Sequence, residues 1–181
     1  MALNAKPGMG TGSVLIGRAQ VLAVMGRTAD ATAAMTRVYA AMDDLPARVT
    51  SDDTSMYGWP EYRLRHGESL VYTYLGDQPR ATAAHDRALA LYPAHMFRER
   101  AQVELHHALG LAMRGDGAAG ADHAERVVSD LPEAQRIEVL LEGARAVARA
   151  VPEDQQRRPE VETLRQLLRA STRPARAIGP A

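Results

Sequence analysis

A segment from Glu68 to Pro93, ESLVYTYLGDQPRATAAHDRALALYP, limits what this chain can fold into more than any other segment. Its apolar and small residues follow a helical period on both sides of Gly76 and Asp77. Glycine adopts the positive φ of a tight turn without steric cost, and the Asp77 side chain can cap the helix that follows. Pro79 is tolerated in a first helical turn, whereas Pro93 ends the pattern. The segment therefore predicts a helical hairpin.

The hairpin recurs along the chain. Gly115 lies 39 residues after Gly76 and is followed by a similar pattern, and a fainter copy is centred on Gly26. Two antiparallel helices approach closely where small side chains cross, so small residues are expected at matching places. They occur seven residues before each glycine, five after it and twelve after it: Ala19, Ser69 and Ala108, then Ala31, Ala81 and Gly120, then Val38, Ala88 and Val127. Three copies indicate an array of hairpins.

These spacings resemble the tetratricopeptide repeat, although its early tryptophan is missing and 39 residues exceed its usual ~34. The resemblance implies an all-α fold, a short tetratricopeptide-like α-solenoid of about four helical hairpins with a concave inner surface. We expect a frayed N-terminus over 1–12, a helical-repeat domain over 13–170 and a disordered tail over 171–181. Predicted helices include 94–114, 117–131, 134–151 and one from Pro159, and an irregular connection is expected over 43–58.

Residues 57–93 resemble a more particular group. The strings Gly-Trp-Pro-Glu, Arg-Leu-Arg-His and Tyr-Thr-x-Leu-Gly-Asp are similar to those in the carboxy-terminal, tetratricopeptide-like half of actinobacterial helix-turn-helix transcriptional regulators of the Xre type. The likeness extends from Ser13 to Arg169. In that family an amino-terminal domain reads DNA, and the repeat half is thought to sense a partner or to dimerise. Too few residues precede the repeats here for such a domain, so direct DNA binding is not expected.

One face of the helix that follows Trp59 is the candidate binding surface. Trp59, Arg63, His66, Leu70 and Tyr74 recur every three or four residues, as residues on one helical face do. If this face lines the concave surface, the two rings would stack on a ligand, and Arg63 with His66 would bind an acidic or carboxylate group. Further helices are expected to complete the binding set with Gln20, Leu105 and Leu109.

A structural interpretation of the same face stays open. Helical-period aromatic residues are often core, so the rings could instead fill the junction beneath the long connection. Arg63 and His66 distinguish the two interpretations, because pairing with Asp52 or Glu68 would make them structural. The recurring arginines Arg37, Arg87 and Arg126 are interpreted as a solvated face that pairs with nearby acids: Asp30, Asp86, Asp122 or Glu125.

Composition and spacing argue against several function classes. The 22 basic and 22 acidic residues cancel, cysteine is absent, and no run reaches the ~20 apolar residues that span a bilayer. The expected location is therefore the cytoplasm, with no membrane partner. Six histidines lack the spacing of a metal site, so neither a metal nor another cofactor is expected. From Gln155 onward the sequence has six arginines and only two glutamates. This basic excess could contact nucleic acid or an acidic partner.

The function expected from these observations is a non-enzymatic binding module, the sensor or interaction half of a regulator-like protein. Its concave groove would hold a peptide, a small effector or a protein partner, and a second copy of the chain is a further expected partner. The competing hypothesis is an enzyme or an accessory protein of natural-product biosynthesis that uses the repeat scaffold as a pocket. Against it, the chain has no glycine-rich phosphate loop and no Gly-x-Ser-x-Gly motif.

Overall fold

The computed structural model describes residues 10–55 and 58–171, and this part of the chain is all-helical, without strands. The α-helices are α1 (Thr11–Val24), α2 (Thr28–Asp43), α3 (Ala47–Thr50), α4 (Glu61–Leu75), α5 (Gln78–Leu91), α6 (Phe97–Met113), α7 (Gly117–Ser129), α8 (Glu138–Ala150) and α9 (Pro159–Ser171). Short 3-10 turns lie at Glu133–Gln135 and Glu153–Gln155. The expected frayed N-terminus up to position 9, and the expected tail from position 172, lie outside the described residues.

The three turn glycines adopt the predicted left-handed conformation. Their φ angles are 71° at Gly26, 70° at Gly76 and 92° at Gly115. Asp77 caps α5 by accepting a hydrogen bond of 3.2 Å from the Arg80 N–H, and Asp116 caps α7 in the same way at 3.3 Å from the Ala119 N–H. These turns confirm the predicted hairpin geometry.

The small residues predicted at helix crossings are buried with one exception. Ala19, Ser69 and Ala108 are fully buried, and so are Ala31 and Ala88. Gly120 packs so closely on the preceding helix that a Cβ atom there would lie 2.7 Å from the Ala108 carbonyl oxygen. The exception is Val127, which is half-buried because its neighbour Val128 takes the inward position.

Three predicted boundaries are wrong. The connection over 43–58 contains the short helix α3, and the main-chain N–H of Trp59 donates to the Val49 carbonyl at 2.7 Å. Helix α6 begins at Phe97 and not at Ala94, because a turn in which the Met96 N–H bonds to Pro93 precedes it. The helix predicted over 134–151 begins at Glu138, after a 3-10 turn.

The chain divides into two compact units, the first up to His107 and the second from Ala108, so the division falls inside α6. In the first unit α1 packs on α2, α4 packs on α5, and α1 also packs on α4. Its cores include Ile16, Val38, Leu64 and Val71, and a smaller cluster of Tyr62, Ala88, Tyr92 and Val103. In the second unit α7, α8 and α9 contact one another around Val128, Leu140, Val147, Val161 and Leu164.

A search of the described helices for one that is both long enough and apolar enough to cross a bilayer finds none.

Candidate functional site

The first unit contains a cleft of about 550 Å³ between α1, α4 and the beginning of α6, which we call the Trp59 cleft. Its walls carry aromatic rings, amides and both signs of charge. The lining residues are Ser13, Ile16, Gln20, Trp59, Tyr62, Arg63, His66, Gly67, Leu70, Tyr92, Met96, Arg98, Glu99, Gln102 and His106.

Five of the eight residues predicted from the sequence line this cleft: Gln20, Trp59, Arg63, His66 and Leu70. The other three are placed elsewhere. Tyr74 lies in the last turn of α4 and packs against the core of the first unit. Leu105 is buried, and Leu109 is buried within the second unit. The helical period of α4 therefore places Arg63, His66 and Leu70 along one cleft, and Tyr74 lies outside it.

Two glycines allow α1 to approach the segment that carries the cleft. A Cβ atom at Gly67 would lie 2.1 Å from Ile16 Cγ1, and one at Gly12 would lie 2.5 Å from the Trp59 ring. Real Cβ atoms do not approach other atoms so closely, so the two chain segments meet here because glycine leaves the space. The contact sets the distance between α1 and the segment that carries Trp59 and α4.

Arg63 holds the connection that leads into α4. Its Nη1 donates to the Gly58 carbonyl at 2.6 Å, and its Nη2 donates to the Ser55 carbonyl at 3.1 Å. Asp52 organises the same connection by accepting from the Ser55 N–H at 2.9 Å. That bond lowers the pKa of Asp52, and the charge of Arg63 adds to the effect. Of the two interpretations given for Arg63, the structural one describes these contacts.

His66 belongs to a ring cluster inside the cleft. Its ring stands edge-on to Tyr92 at 5.9 Å and to His106 at 5.3 Å. The Tyr92 hydroxyl lies 3.2 Å from His66 Nδ1. None of these contacts joins His66 to Asp52 or Glu68, and such a pair was the arrangement expected if His66 were structural.

Both cleft histidines are neutral at pH 7. Burial lowers the pKa of His66 to about 4, with Glu99 opposing the shift and Arg98 adding to it. Burial also places the pKa of His106 well below its usual value, and the neighbouring His66 and His85 add to that effect. A neutral imidazole has one donor nitrogen and one acceptor nitrogen, so what each ring offers a ligand depends on which nitrogen already has a partner in the protein.

The hydrogen bonds of Ser69 assign the proton on His106. The Ser69 hydroxyl donates to the His66 carbonyl at 2.7 Å and lies 2.6 Å from His106 Nδ1. Since a hydroxyl has a single proton, His106 Nδ1 must be the donor in the second contact. The proton of this neutral ring is therefore on Nδ1, which leaves Nε2 as an acceptor.

The indole of Trp59 contributes a donor. This side chain is 5 % exposed, and its Nε1–H has no hydrogen-bond acceptor among the residues that the structure describes. A buried N–H without a partner costs free energy, but this nitrogen has almost no exposed surface, so a ligand could reach it only if the indole moved.

The cleft is equipped for binding more than for nucleophilic chemistry. Ser69 has a histidine at hydrogen-bonding distance, as an activated serine would. However, the Ser69 side chain is fully buried, so a substrate cannot reach its hydroxyl. In the described ranges, His, Cys, Asp and Glu side chains form no cluster of three or more that could hold a metal ion.

A polar network lies on another face of α4 and ties this helix to α2. Glu68 is 3 % exposed, accepts from the Tyr39 hydroxyl at 2.6 Å and pairs with Arg65 at 2.9 Å. Burial, together with the hydrogen bond to Glu68, raises the pKa of Tyr39. Tyr72 lies 2.5 Å from the Tyr39 hydroxyl. Each of these groups has a partner inside the protein, so the network is structural.

The recurring arginines behave partly as expected. Arg126 pairs with Asp122 at 3.0 Å, which confirms one of the predicted surface pairs. Arg87 instead pairs with Glu61 of α4 through two contacts of 2.7 and 3.0 Å. Hydrogen bonds from Arg87, and then from Arg65, lower the pKa of Glu61 to about 2.

Sequence reasoning missed the wall of the cleft that α6 supplies, which is Glu99, Gln102 and His106. Their spacing of three and four residues is a helical-face signal that could have found them. His106 was considered there for metal binding alone. A comparison of the chain with protein-family models, with curated proteins and with solved structures found no match, so the argument about function depends on the Trp59 cleft itself.

Proposed function

We propose that this protein is a non-enzymatic binding module whose Trp59 cleft holds a segment of peptide. The observation that carries the proposal is the convergence of Trp59, His66, Leu70 and Gln20 on one cleft, where an aromatic ring and an aliphatic side chain lie beside polar groups. Ligand clefts are typically about 300–1,000 Å³ and combine apolar walls with a few placed polar groups. The cleft, of about 550 Å³, fits that description.

The polar groups of the cleft favour uncharged partners. Arg63 is engaged with main-chain carbonyls, and Arg98 pairs with its neighbour Glu99. What remains are the amides of Gln20 and Gln102, each of which offers both a donor and an acceptor, and one ring nitrogen on each of the two neutral imidazoles. A peptide backbone alternates donors and acceptors in the same way. We therefore favour a peptide over the acidic ligand that the sequence led us to expect.

The likeness to regulator proteins supports a role for such a module. The left-handed turn glycines and the buried small residues are compatible with hairpins of the tetratricopeptide type. On this basis we propose that the chain serves as the sensor or interaction half of a regulator-like protein in the cytoplasm. A small effector with amide-like groups would use the same contacts as the peptide.

The test begins with a selection of random displayed peptides on the purified protein. Trp59 is the single tryptophan of the chain, so its fluorescence reports directly on the occupancy of the cleft. We expect selected peptides to change this emission on binding, with the affinity measured by titration calorimetry. Leu70→Arg places a charge in the cleft and should weaken binding about tenfold or more, because desolvated central contacts carry most of the binding free energy.

The matched control is Ala83→Arg. Ala83 lies on α5, where it is exposed and lines a different cavity of the same unit. The control should bind selected peptides as the wild type does. The proposal fails if the selection yields no peptide that alters Trp59 emission, or if both variants lose affinity equally.

A further inference from the structure

A second cavity, of about 380 Å³, lies within the second unit and is unrelated to the Trp59 cleft. Four arginines surround it, two from α8 and two from α9: Arg145, Arg149, Arg165 and Arg169. Its floor is aliphatic, formed by Ala148 and Leu168, which are nearly buried. We call this cavity the arginine groove. It contains part of the basic excess that follows Gln155 in the sequence.

Three of the four cations are paired with carboxylates that do not line the groove. Arg149 contacts Glu142 at 2.7 Å, and Arg169 contacts Glu162 at 2.6 Å. Arg145 contacts Glu142 at 3.2 Å and Glu138 at 2.5 Å. All three glutamates are about half exposed or more. Exposed ion pairs of this kind contribute little to the stability of the fold, so these arginines can turn toward another anion at small cost in free energy.

Arg165 differs from the other three. It donates to the main-chain carbonyl of Gln156 at 2.9 Å and also to the side-chain oxygen of Gln156. The Gln156 side chain is held in turn by the Val151 carbonyl at 2.5 Å. Both hydrogen-bond acceptors of Arg165 are therefore neutral and fixed. The guanidinium is therefore held in place at the groove. No carboxylate among the described residues accepts a hydrogen bond from it.

We propose that the arginine groove binds an amphiphilic organic anion. A carboxylate or phosphate head would pair with the guanidinium groups, which match the planar geometry of both. The apolar body of the ligand would lie on Ala148 and Leu168. Positive walls around an aliphatic floor favour a ligand with a charged head and an apolar body. An inorganic ion would leave the floor without a contact, and a neutral apolar molecule would leave the arginines without an anion. The groove volume falls within the ~300–1,000 Å³ range of small-molecule sites.

The test titrates the full chain with four probes, octyl phosphate, octanoate, inorganic phosphate and octan-1-ol, below the micellar concentration of each amphiphile. Amide chemical shifts of Gln156 and Leu168 report on the groove, and calorimetry gives the affinity. We expect saturable binding of octyl phosphate, of octanoate or of both, and the comparison of the two identifies the preferred head. Inorganic phosphate and octan-1-ol should bind at least about tenfold more weakly, because each lacks half of the contacts.

Variants test the role of the fixed cation. Arg165→Met keeps an unbranched, flexible side chain but removes the charge, and it should weaken octyl phosphate binding about tenfold or more. Arg169→Met, at an exposed position, should weaken it several-fold even if the first variant fails to fold. Arg126→Met is the matched control, since Arg126 is an exposed arginine of the same unit outside the groove.

Three results would overturn the proposal. The first is the absence of saturable binding by octyl phosphate and octanoate. The second is equal binding of inorganic phosphate or octan-1-ol, which would show that one half of the groove is not used. The third is an equal loss of affinity in the Arg169 and Arg126 variants, which would indicate general attraction by surface charge.

Discussion

His66 links the Trp59 cleft to the pH dependence of stability. Its pKa of about 4 in the folded protein lies below the 6.5 of an unburied histidine. Between these two values the unfolded chain binds a proton that the folded chain does not. The free energy of unfolding therefore falls as the pH drops below 6.5. The contribution of His66 to this fall ends near pH 4, where the folded chain also binds the proton. His106 acts in the same direction because burial also lowers its pKa.

We predict that His66→Gln makes stability less dependent on pH between about pH 6.5 and 5, a range that lies above the usual titration of carboxylates. The slope should decrease by up to about 1.4 kcal/mol per pH unit, which is the limit for one proton. Urea unfolding followed by circular dichroism at several pH values measures the effect. His95→Gln, at an exposed histidine, is the control and should keep the wild-type slope.

Identical slopes for the wild type and His66→Gln would contradict the burial of this imidazole. Arg98 and Glu99 also face the ring, so the measurement should be repeated at high salt. Screening weakens their charge effects and leaves desolvation in place. The difference between the variants should therefore survive added salt.

Residue roles could be predicted from the sequence where they depend on near neighbours. Asp77 was recognised as a cap because its partner, the Arg80 N–H, lies three residues away. Glu68 was not recognised as a buried group, since its burial depends on Tyr39, which lies 29 residues earlier. Arg63 was expected to bind an acidic group, and its contacts with the Gly58 and Ser55 carbonyls were not foreseen. Its partners are main-chain carbonyls, and side-chain chemistry gives no signal for those.

At the scale of helices, glycines have opposite effects depending on what faces them. Gly67 lies in α4 against Ile16 of α1, where an added Cβ atom would lie 2.1 Å from Ile16 Cγ1. Gly17 lies in the interior of α1, where an added Cβ atom would meet nothing within 4 Å. The first glycine permits a helix crossing, whereas the second only lowers the helical propensity of its own segment.

We predict that Gly67→Ala destabilises the protein by about 1–3 kcal/mol, because Ile16 must move within a packed core. Gly17→Ala is the matched substitution and should stabilise it by about 0.5–1 kcal/mol. Thermal and urea unfolding give both values. A stabilising effect of Gly67→Ala would show that α1 and α4 do not approach as described.

The existence of the long helices was predictable here, whereas the short helix α3 and most helix ends were not. The hairpins follow from local signals, namely a glycine, a capping aspartate and a helical period. The start of α8 does not, because Arg136 turns back to the Leu131 and Ser129 carbonyls and holds a 3-10 turn ahead of the helix. The wall of the Trp59 cleft that α6 supplies depends likewise on which face of α6 meets α4, and a single helical pattern does not fix that face.

Over the whole molecule, charge is balanced and locally patterned. The 22 basic and 22 acidic residues divide equally between the two compact units. The arginine groove is therefore a local concentration of positive charge within a neutral unit. Its surrounding glutamates, Glu138, Glu142 and Glu162, reduce the field that a distant polyanion would experience.

We predict no measurable binding of random-sequence duplex DNA at physiological salt, because the glutamates beside the groove reduce the positive field that attracts DNA phosphates. Fluorescence anisotropy of a labelled duplex measures this. The triple variant Glu138→Gln, Glu142→Gln and Glu162→Gln removes the carboxylates beside the groove and should gain weak binding that added salt abolishes. Saturable binding by the wild type would show that the local patch outweighs the overall balance.

The three turn glycines have one further consequence. Each bends the backbone in the sense that an L-amino acid resists and that its mirror image prefers. Gly26, Gly76 and Gly115 thus mark the points where the chain accepts the opposite chirality. A D-alanine built into any of them by chemical synthesis would adopt the native bend as its ordinary conformation, with fewer alternatives left open to the unfolded chain.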